Sequence, residues 1–477
     1  MMEWRLISLL VIFFLSVGFD FHGFLFAHAN PIRLELIHRD NPLLNVQVRR
    51  PKQTQLERFK ELVRNDIIRH RIISYKRGQW GASTRRNDLE LEASIEMPMH
   101  SGADFGTGQY FVEVKVGKPA QQFLLIADTA SELTWMNCRH GCGNKCGTHK
   151  GRLLDRRRVF HADRSSSFRP VPCSSEMCKV GLADLFRSPK CPFPSTPCGY
   201  EFSYIDGSVA LGFFANDTIT VNLTSGRKMM LDNMLIGCTE STKGQGFQGA
   251  NGVLGLGYAN YTFATTAAKK FGGKFSYCLV DHLSPKNISN YLVFGGKRNH
   301  NKHSLVGNVQ YTKLLLGVIP PFYVVNVSGI SIGGKMLNIT SDVWDVNAGG
   351  GTIIDSGTSL MLLAEPAYTP VMMALELAVS PYDRLVSDDG PFEYCFDSTK
   401  FNESLVPKLA IHFADGARFE PPVKSYIIDV APQKKCLGFV PVSWPGTSII
   451  GNIMQQNHLW EFDLGCHKVG FAPSSCT

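Results

Sequence analysis

No cysteine precedes Cys138 in this 477-residue chain, whereas 13 lie from that point on. Disulfide or thiolate-metal chemistry is therefore excluded from everything upstream, and the rest of the chain is suited to an oxidising compartment. Charge is also scarce: 19% of residues are charged against 44% apolar, the balance of a globular protein rather than of a disordered one. There is no collagen-like or low-complexity tract. Beyond the first 26 residues no apolar run is long enough to cross a bilayer. The tail Ala472-Pro-Ser-Ser-Cys-Thr477 carries neither a retention signal nor the hydrophobic end of a lipid-anchor precursor. What remains is a chain too long for one ordinary core, so two or three structural units are expected.

The amino terminus supplies Arg5, the apolar run Leu6 to Gly18 and then Ala27-His28-Ala29, the three parts of a secretory signal. Cleavage after Ala29 is expected, with secretion to the extracellular space and the vacuole as the alternative destination. Seven N-x-S/T sites, at Asn216, Asn222, Asn260, Asn287, Asn326, Asn338 and Asn402, are compatible with glycosylated surface loops. The net charge of +8 resides mainly between Asn30 and Glu90, where 14 Lys+Arg face 7 Asp+Glu. That asymmetry places the basic excess in a separate segment, not on a nucleic-acid-binding face of the main body. Arg156-Arg157-Arg158 reads as a solvated loop.

Residues 30–104 form that separate unit. Leu56 to Ile73 has helical spacing, and the stretch from Gly102 through Gly106 to Gly108 marks a loop. From Tyr110 the texture changes to short β-type runs divided by glycine, proline and asparagine. The decisive feature is a long-period repeat. Tyr110 to Gly117, Leu124-Leu-Ile-Ala-Asp-Thr-Ala-Ser131 and Gly252-Val-Leu-Gly-Leu-Gly257 are matched in order by three later segments. These are Phe322 to Gly329, Thr352-Ile-Ile-Asp-Ser-Gly-Thr358 and Ser448-Ile-Ile-Gly-Asn452. Each half is a strand ending at glycine, an apolar strand running into a lone aspartate, and an apolar-apolar-glycine segment. An all-β body of two related lobes follows, each lobe contributing one aspartate, Asp128 and Asp355.

An aspartate at the end of a buried strand is desolvated, which disfavours its charge. Two of them facing each other across a pseudo-two-fold axis cannot both ionise, so they share a proton. The ionised partner then takes a proton from a water while the protonated one donates to a carbonyl, with neither metal nor cofactor required. Asp206, Asp217 and Asp463 are read as turn or surface residues.

These motifs resemble the pepsin-like aspartic proteases, in particular the plant nepenthesin-like subgroup, over about Tyr110 to Cys476. Leu34-Glu-Leu-Ile-His-Arg-Asp40 resembles the opening of the pro-segment in those relatives. The resemblance implies an all-β, bilobal fold with β-barrel-like lobes flanking an active-site cleft. Its division would be a signal peptide at 1–29, a pro-segment at 30–104, an N-terminal lobe at 105–318 with a cysteine-rich insertion and flap, and a C-terminal lobe at 319–477. It implies a secreted, acid-active endopeptidase, made as a zymogen, with Asp128 and Asp355 catalytic. Ser131 and Thr358 would bond the outer carboxylate oxygens, and Thr129 and Ser356 would brace the two loops, the second of which includes Gly357. Tyr204 would be the flap tyrosine, with Gly207 shaping the hairpin and Trp135 supporting it; ordinary aromatic packing is the other reading of Tyr204 and Trp135. Partners would be an extended polypeptide substrate and the chain's own pro-segment, with no nucleic acid, no membrane insertion after signal removal, and a monomeric state. The positive pro-segment is expected to lie across an acidic cleft and to loosen on acidification.

One residue departs from the family's Asp-Thr-Gly-Ser motif: Ala130 stands where glycine is usual. If that glycine serves a close backbone approach, the Ala130 methyl introduces strain or shifts Asp128 slightly; if the local φ is negative, alanine costs little, and activity is expected to survive, though reduced. Ala130 is also the residue that favours the alternative function, a catalytically weak or inactive binding protein like the family's inhibitors of glycosidases. A lectin-like β-protein is the third reading. The family's cysteine pattern implies six disulfides and an extra thiol at Cys466, and zinc is the rival reading of the dense cluster that begins at Cys138.

Overall fold

The fold is that of a computed structural model in which residues 54–77, 95–101, 110–141, 159–182, 190–203, 209–223, 227–243, 250–281, 290–295, 305–385 and 392–476 are described. Strands dominate, with helices α1 (Gln55–Arg77), α2 (Phe263–Lys270) and α3 (Glu365–Val379) and the short α4 (Asn452–Gln455) between them. Among the described residues no helix is long and apolar enough to cross a membrane.

The duplicated sequence pattern becomes a duplicated strand arrangement. In the first half Gln121–Asp128 runs antiparallel to Tyr110–Val116 and parallel to Gly252–Gly255, with Gly255 opposite Asp128. In the second half Thr352–Ile354 runs antiparallel to Tyr323–Val325 and parallel to Ser448–Ile450. In both, the third strand also pairs with the one that follows the aspartate loop, Trp135–Arg139 and Met361–Ala364 respectively. The apolar runs therefore lie between neighbours on both sides and are buried along their length, as central strands are.

Glycine closes each apolar-apolar-glycine segment because the chains cross there at short range. A Cβ on Gly451 would lie 2.1 Å from the Leu360 carbonyl oxygen, and one on Gly255 would lie 2.8 Å from the Glu132 and Leu133 carbonyl carbons. No larger residue fits between two backbones at that spacing.

A shared layer joins the halves. Lys274–Cys278 is flanked by Asn290–Phe294 and His458–Asp463, the latter paired to Lys468–Pro473, so one sheet holds strands from both parts of the sequence. The Cys278–Cys476 disulfide ties the carboxyl terminus to it. Ile95–Ser101, within the segment expected to be a removable leader, lies inside this sheet between Asn290–Phe294 and Tyr110–Val116.

Five disulfides are described: Cys138–Cys238, Cys173–Cys191, Cys178–Cys198, Cys278–Cys476 and Cys395–Cys436. Cys142 and Cys146 lie outside the described residues, and Cys466 is an exposed free thiol. Two of the aspartates read as turn or surface residues are instead buried. Asp217 is enclosed by the Ser165 and Ser167 hydroxyls and the Thr218 amide, and Asp463 pairs with Lys274 at 2.7 Å. A strand-borne carboxylate can go inside when enough donors surround it, which sequence spacing does not reveal. Asp206 lies outside the described residues. Of the glycosylation sites, Asn260, Asn326, Asn338 and Asn402 are exposed, but Asn216 sits within strand Val209–Asn222 with its sequon threonine, Thr218, buried and bonded to Asp232.

Candidate active site

Each aspartate is delivered by its apolar strand to the junction of the two halves, where it is almost wholly buried: Asp128 is 2% exposed and Asp355 0%. The loops that follow are near copies. The Ala130 amide donates to Asp128 Oδ1 at 2.9 Å and the Gly357 amide to Asp355 Oδ1 at 2.8 Å. Ser131 Oγ donates to Asp128 Oδ2, and Thr358 Oγ1 to Asp355 Oδ2, both at 2.6 Å. The loops also grip each other. The Thr129 amide donates to Ser356 Oγ at 3.1 Å, and the Ser356 amide to Thr129 Oγ1 at 2.8 Å. Ser356 Oγ in turn donates to the Ala127 carbonyl. This crossed pair fixes one aspartate relative to the other through side-chain hydroxyls rather than a shared strand.

Further groups hold the second loop from behind, and sequence reading had not singled them out. Gln455 Nε2 donates to the carbonyls of Asp355 and Ile450, its Oε1 accepts from Tyr277, and Asn452 Nδ2 donates to the Ser356 carbonyl. All of these polar groups are buried, so the network is anchored within the core. Ala130 is not among the residues with positive φ, so its methyl carries no backbone strain. Its counterpart Gly357 is required by space: a Cβ there would lie 2.6 Å from Asp128 Oδ1. Trp135 is fully buried in a cluster with Tyr200 and Phe202. Tyr204 and Gly207 lie outside the described residues.

The cleft between the aspartates is filled by α1. The helix opens with a reciprocal cap: Glu57 Oε2 accepts from the Thr54 amide while Thr54 Oγ1 accepts from the Glu57 amide. Phe59, Val63 and Ile73 are buried, and the helix packs on strands Met361–Ala364, Ile427–Ala431 and Phe439–Val442. Phe59 meets Phe392 edge to face at 5.9 Å.

On the same helix, Arg69 reaches both aspartates. Its Nε donates to Asp355 Oδ2 at 2.6 Å and its Nη1 to Asp128 Oδ2 at 3.1 Å. Its Nη2 donates to Asp355 Oδ1 at 2.9 Å and also to Asp128 Oδ1. One turn earlier, Asp66 accepts the amides of Ser359 and Leu360 at 2.9 and 2.7 Å, and directly after Arg69, His70 Nε2 donates to the Thr447 carbonyl at 2.8 Å. These three residues were not picked out from the sequence. The available signal was their i, i+3, i+4 spacing on one face of an expected helix.

Electrostatics follow from this packing. Burial pushes the Asp128 carboxyl upward, but Arg69, the Ser131 hydroxyl and the Ala130 amide together hold it below its ordinary range. Burial alone would lower the Arg69 guanidinium, and the two aspartates more than reverse that. Burial raises Asp66 to about 7, against the pull of its two amide donors and Arg69. It lowers His70, against the Thr447 carbonyl.

Two family models match the chain in tandem: Xylanase inhibitor N-terminal over residues 110–296 and Xylanase inhibitor C-terminal over 322–473. The chain is 34% identical over 382 residues to Aspartyl protease family protein 2 of Arabidopsis thaliana, covering 79% of this chain and 73% of that one. This chain belongs to the pepsin-like aspartic protease family. Within that family it is 31% identical over 396 residues to the aspartic proteinase nepenthesin-1 of Nepenthes gracilis, covering 81% of this chain and 83% of the other. Among solved structures it shares its fold with the basic 7S globulin of soybean, with a TM-score of 0.62 at 21% identity over 80% of this chain and 97% of that one. Conglutin gamma from lupine seeds gives 0.63 at 19% identity over 80% and 95%.

Proposed function

We propose that the protein is a secreted aspartic endopeptidase, active in acid, and that the structure described above is its latent precursor. The observation that carries this reading is Arg69 Nη2, a single atom hydrogen-bonded to the inner oxygens of both Asp128 and Asp355. An atom of that size and position marks where one water molecule would bridge the two carboxyl groups once the helix has left.

With Arg69 gone, two like charges this close cannot both persist, and one proton is held between them. The ionised member takes a proton from the bridging water; the protonated member donates to the carbonyl of a peptide lying across the cleft. The water oxygen attacks the carbonyl carbon, and collapse of the resulting diol passes a proton to the departing amine. The Thr129–Ser356 grip and the Ser131 and Thr358 hydroxyls keep the two carboxyl groups in register throughout, which is positioning rather than proton transfer.

A second reading, a family member that binds without cutting, is favoured by the inhibitor description of the two family models. The discriminating experiment is acid treatment of the purified full chain, followed by incubation with denatured globin. Cleavage should appear, be blocked by pepstatin, and fall by at least about a hundredfold in Asp355→Ala, since positioned acid–base groups contribute 10²–10⁴ in rate. A processed wild-type protein that leaves the substrate intact establishes the binding reading instead.

A further inference from the structure

The two aspartate loops are near copies in the bonds of their side chains, but they differ in how each aspartate's own backbone carbonyl is held. The Asp128 carbonyl accepts from a backbone amide, that of Leu256, at 2.9 Å. The Asp355 carbonyl accepts instead from a side chain, Gln455 Nε2, at 3.2 Å. That carbonyl and the Ser356 amide belong to one peptide plane, and the Ser356 amide donates across the junction to Thr129 Oγ1 at 2.8 Å. Gln455 thus pins one end of the peptide that Thr129 pins at the other. One turn of α4 brings Asn452 to the same side, where its Nδ2 takes the next carbonyl, that of Ser356, at 3.0 Å.

The orientation of Gln455 is itself determined. Carbonyls only accept, so those of Asp355 and Ile450, at 3.2 and 2.7 Å, fix the amide nitrogen between them and leave Oε1 to the Tyr277 hydroxyl. Burial first, and the Asp355 charge second, raise the Tyr277 phenol well above its ordinary value, so this hydroxyl keeps its proton and donates. Tyr277 lies on Lys274–Cys278, in the sheet that joins the two halves, and both it and Gln455 are fully buried. We infer that Gln455, held in orientation by Tyr277, is a positioning residue for the reaction: it sets the peptide plane after Asp355, and so the separation of the two carboxyl groups. This rests on the peptidase reading above. Loss of the donor would leave a buried carbonyl seeking another partner, at the cost of the plane's orientation.

The test uses acid-processed protein and one peptide that the wild type cuts. Two carboxyl groups sharing a proton titrate in two steps, and the steps draw together as the groups move apart. Activity needs the singly protonated pair, so a looser pair narrows the bell-shaped pH profile of kcat, whereas partial unfolding lowers the bell without changing its width. In Gln455→Met, similar in length but without donors, kcat should fall about a hundredfold at a KM within about twofold of wild type. Its bell should narrow by about one pH unit. Tyr277→Phe should lower kcat about tenfold, the size of one lost hydrogen bond, and should add nothing to Gln455→Met, since it acts only through that side chain. If Gln455→Met does not fold, Tyr277→Phe decides alone by its kcat and bell width. A bell of unchanged width, a raised KM in place of the lowered kcat, or effects that multiply in the double variant overturns the assignment and leaves the peptidase reading intact. Wild-type protein that cuts nothing overturns that reading, and this role with it.

Discussion

Arg69 is one side chain opposed to two carboxylates, and its neighbours decide how that contact responds to pH. Asp128 is held below its ordinary value of 3.8 in the docked state, so it supports docking above that value and the support is lost as pH falls through the depressed one. His70, buried and lowered from 6.5, likewise opposes docking once acid begins to charge it. Asp66 works in the other direction. Raised to about 7, its contribution is complete below 3.8 and is lost as pH rises through about 7. Release in acid therefore comes from Asp128 and His70 against the resistance of Asp66. Arg69→Ala removes the Asp128 contact and leaves His70 in control, so the onset of processing should move up by at least one unit, towards about pH 6. A gel time course across pH measures this, and an unchanged onset would contradict it. The two loops allow a second contrast. Gly357→Ala should cost at least about tenfold in activity, because its Cβ would intrude on Asp128 Oδ1, whereas Ala130→Gly should stay within about threefold of wild type. Peptide-cleavage assays on the processed variants settle both. The aspartates were legible in the sequence because each ends an apolar run in a repeated frame. Arg69 was not, being one of 14 basic residues between Asn30 and Glu90 that only packing tells apart.

Elements show the same division between what pattern reveals and what packing adds. The repeat of strand, aspartate loop and apolar-apolar-glycine translated into two like arrangements because each step carries its own physical demand. Burial demands the apolar run, and a backbone crossing so close that a Cβ would lie 2.1 Å from the Leu360 carbonyl oxygen demands Gly451. The helix was legible from its spacing, yet its docking on three strands of the second half was not, because contacts between distant segments leave no local periodicity. Ile95–Ser101 lacked a strand signal of comparable strength, with Pro98 in its middle, but it is paired on both edges. A cut after this strand would take out a sheet member with neighbours on either side, while a cut between Arg77 and Ile95 would spare it. Amino-terminal sequencing of the acid-processed protein should accordingly find a first residue at or before Ile95. A start beyond Ser101 would show that the sheet tolerates the loss.

At the scale of the whole molecule, two halves joined by one sheet and by the Cys278–Cys476 bond meet at a junction that a third segment occupies. The bilobal all-β architecture could be read from sequence because duplication is a global signal; the identity of the segment at the junction could not, since it depends on where the chain returns. Occupation by Arg69 has a stoichiometric side. One guanidinium forms ion pairs with two carboxylates, whereas the same two groups left alone must keep a hydrogen ion between them. Unmasking should then draw about one hydrogen ion into the aspartate pair, beside the ion Asp66 gives up and the one His70 gains. In weakly buffered solution Arg69→Ala, whose aspartate pair already holds its ion, should therefore take up about one hydrogen ion fewer per molecule than the wild type as the helix departs.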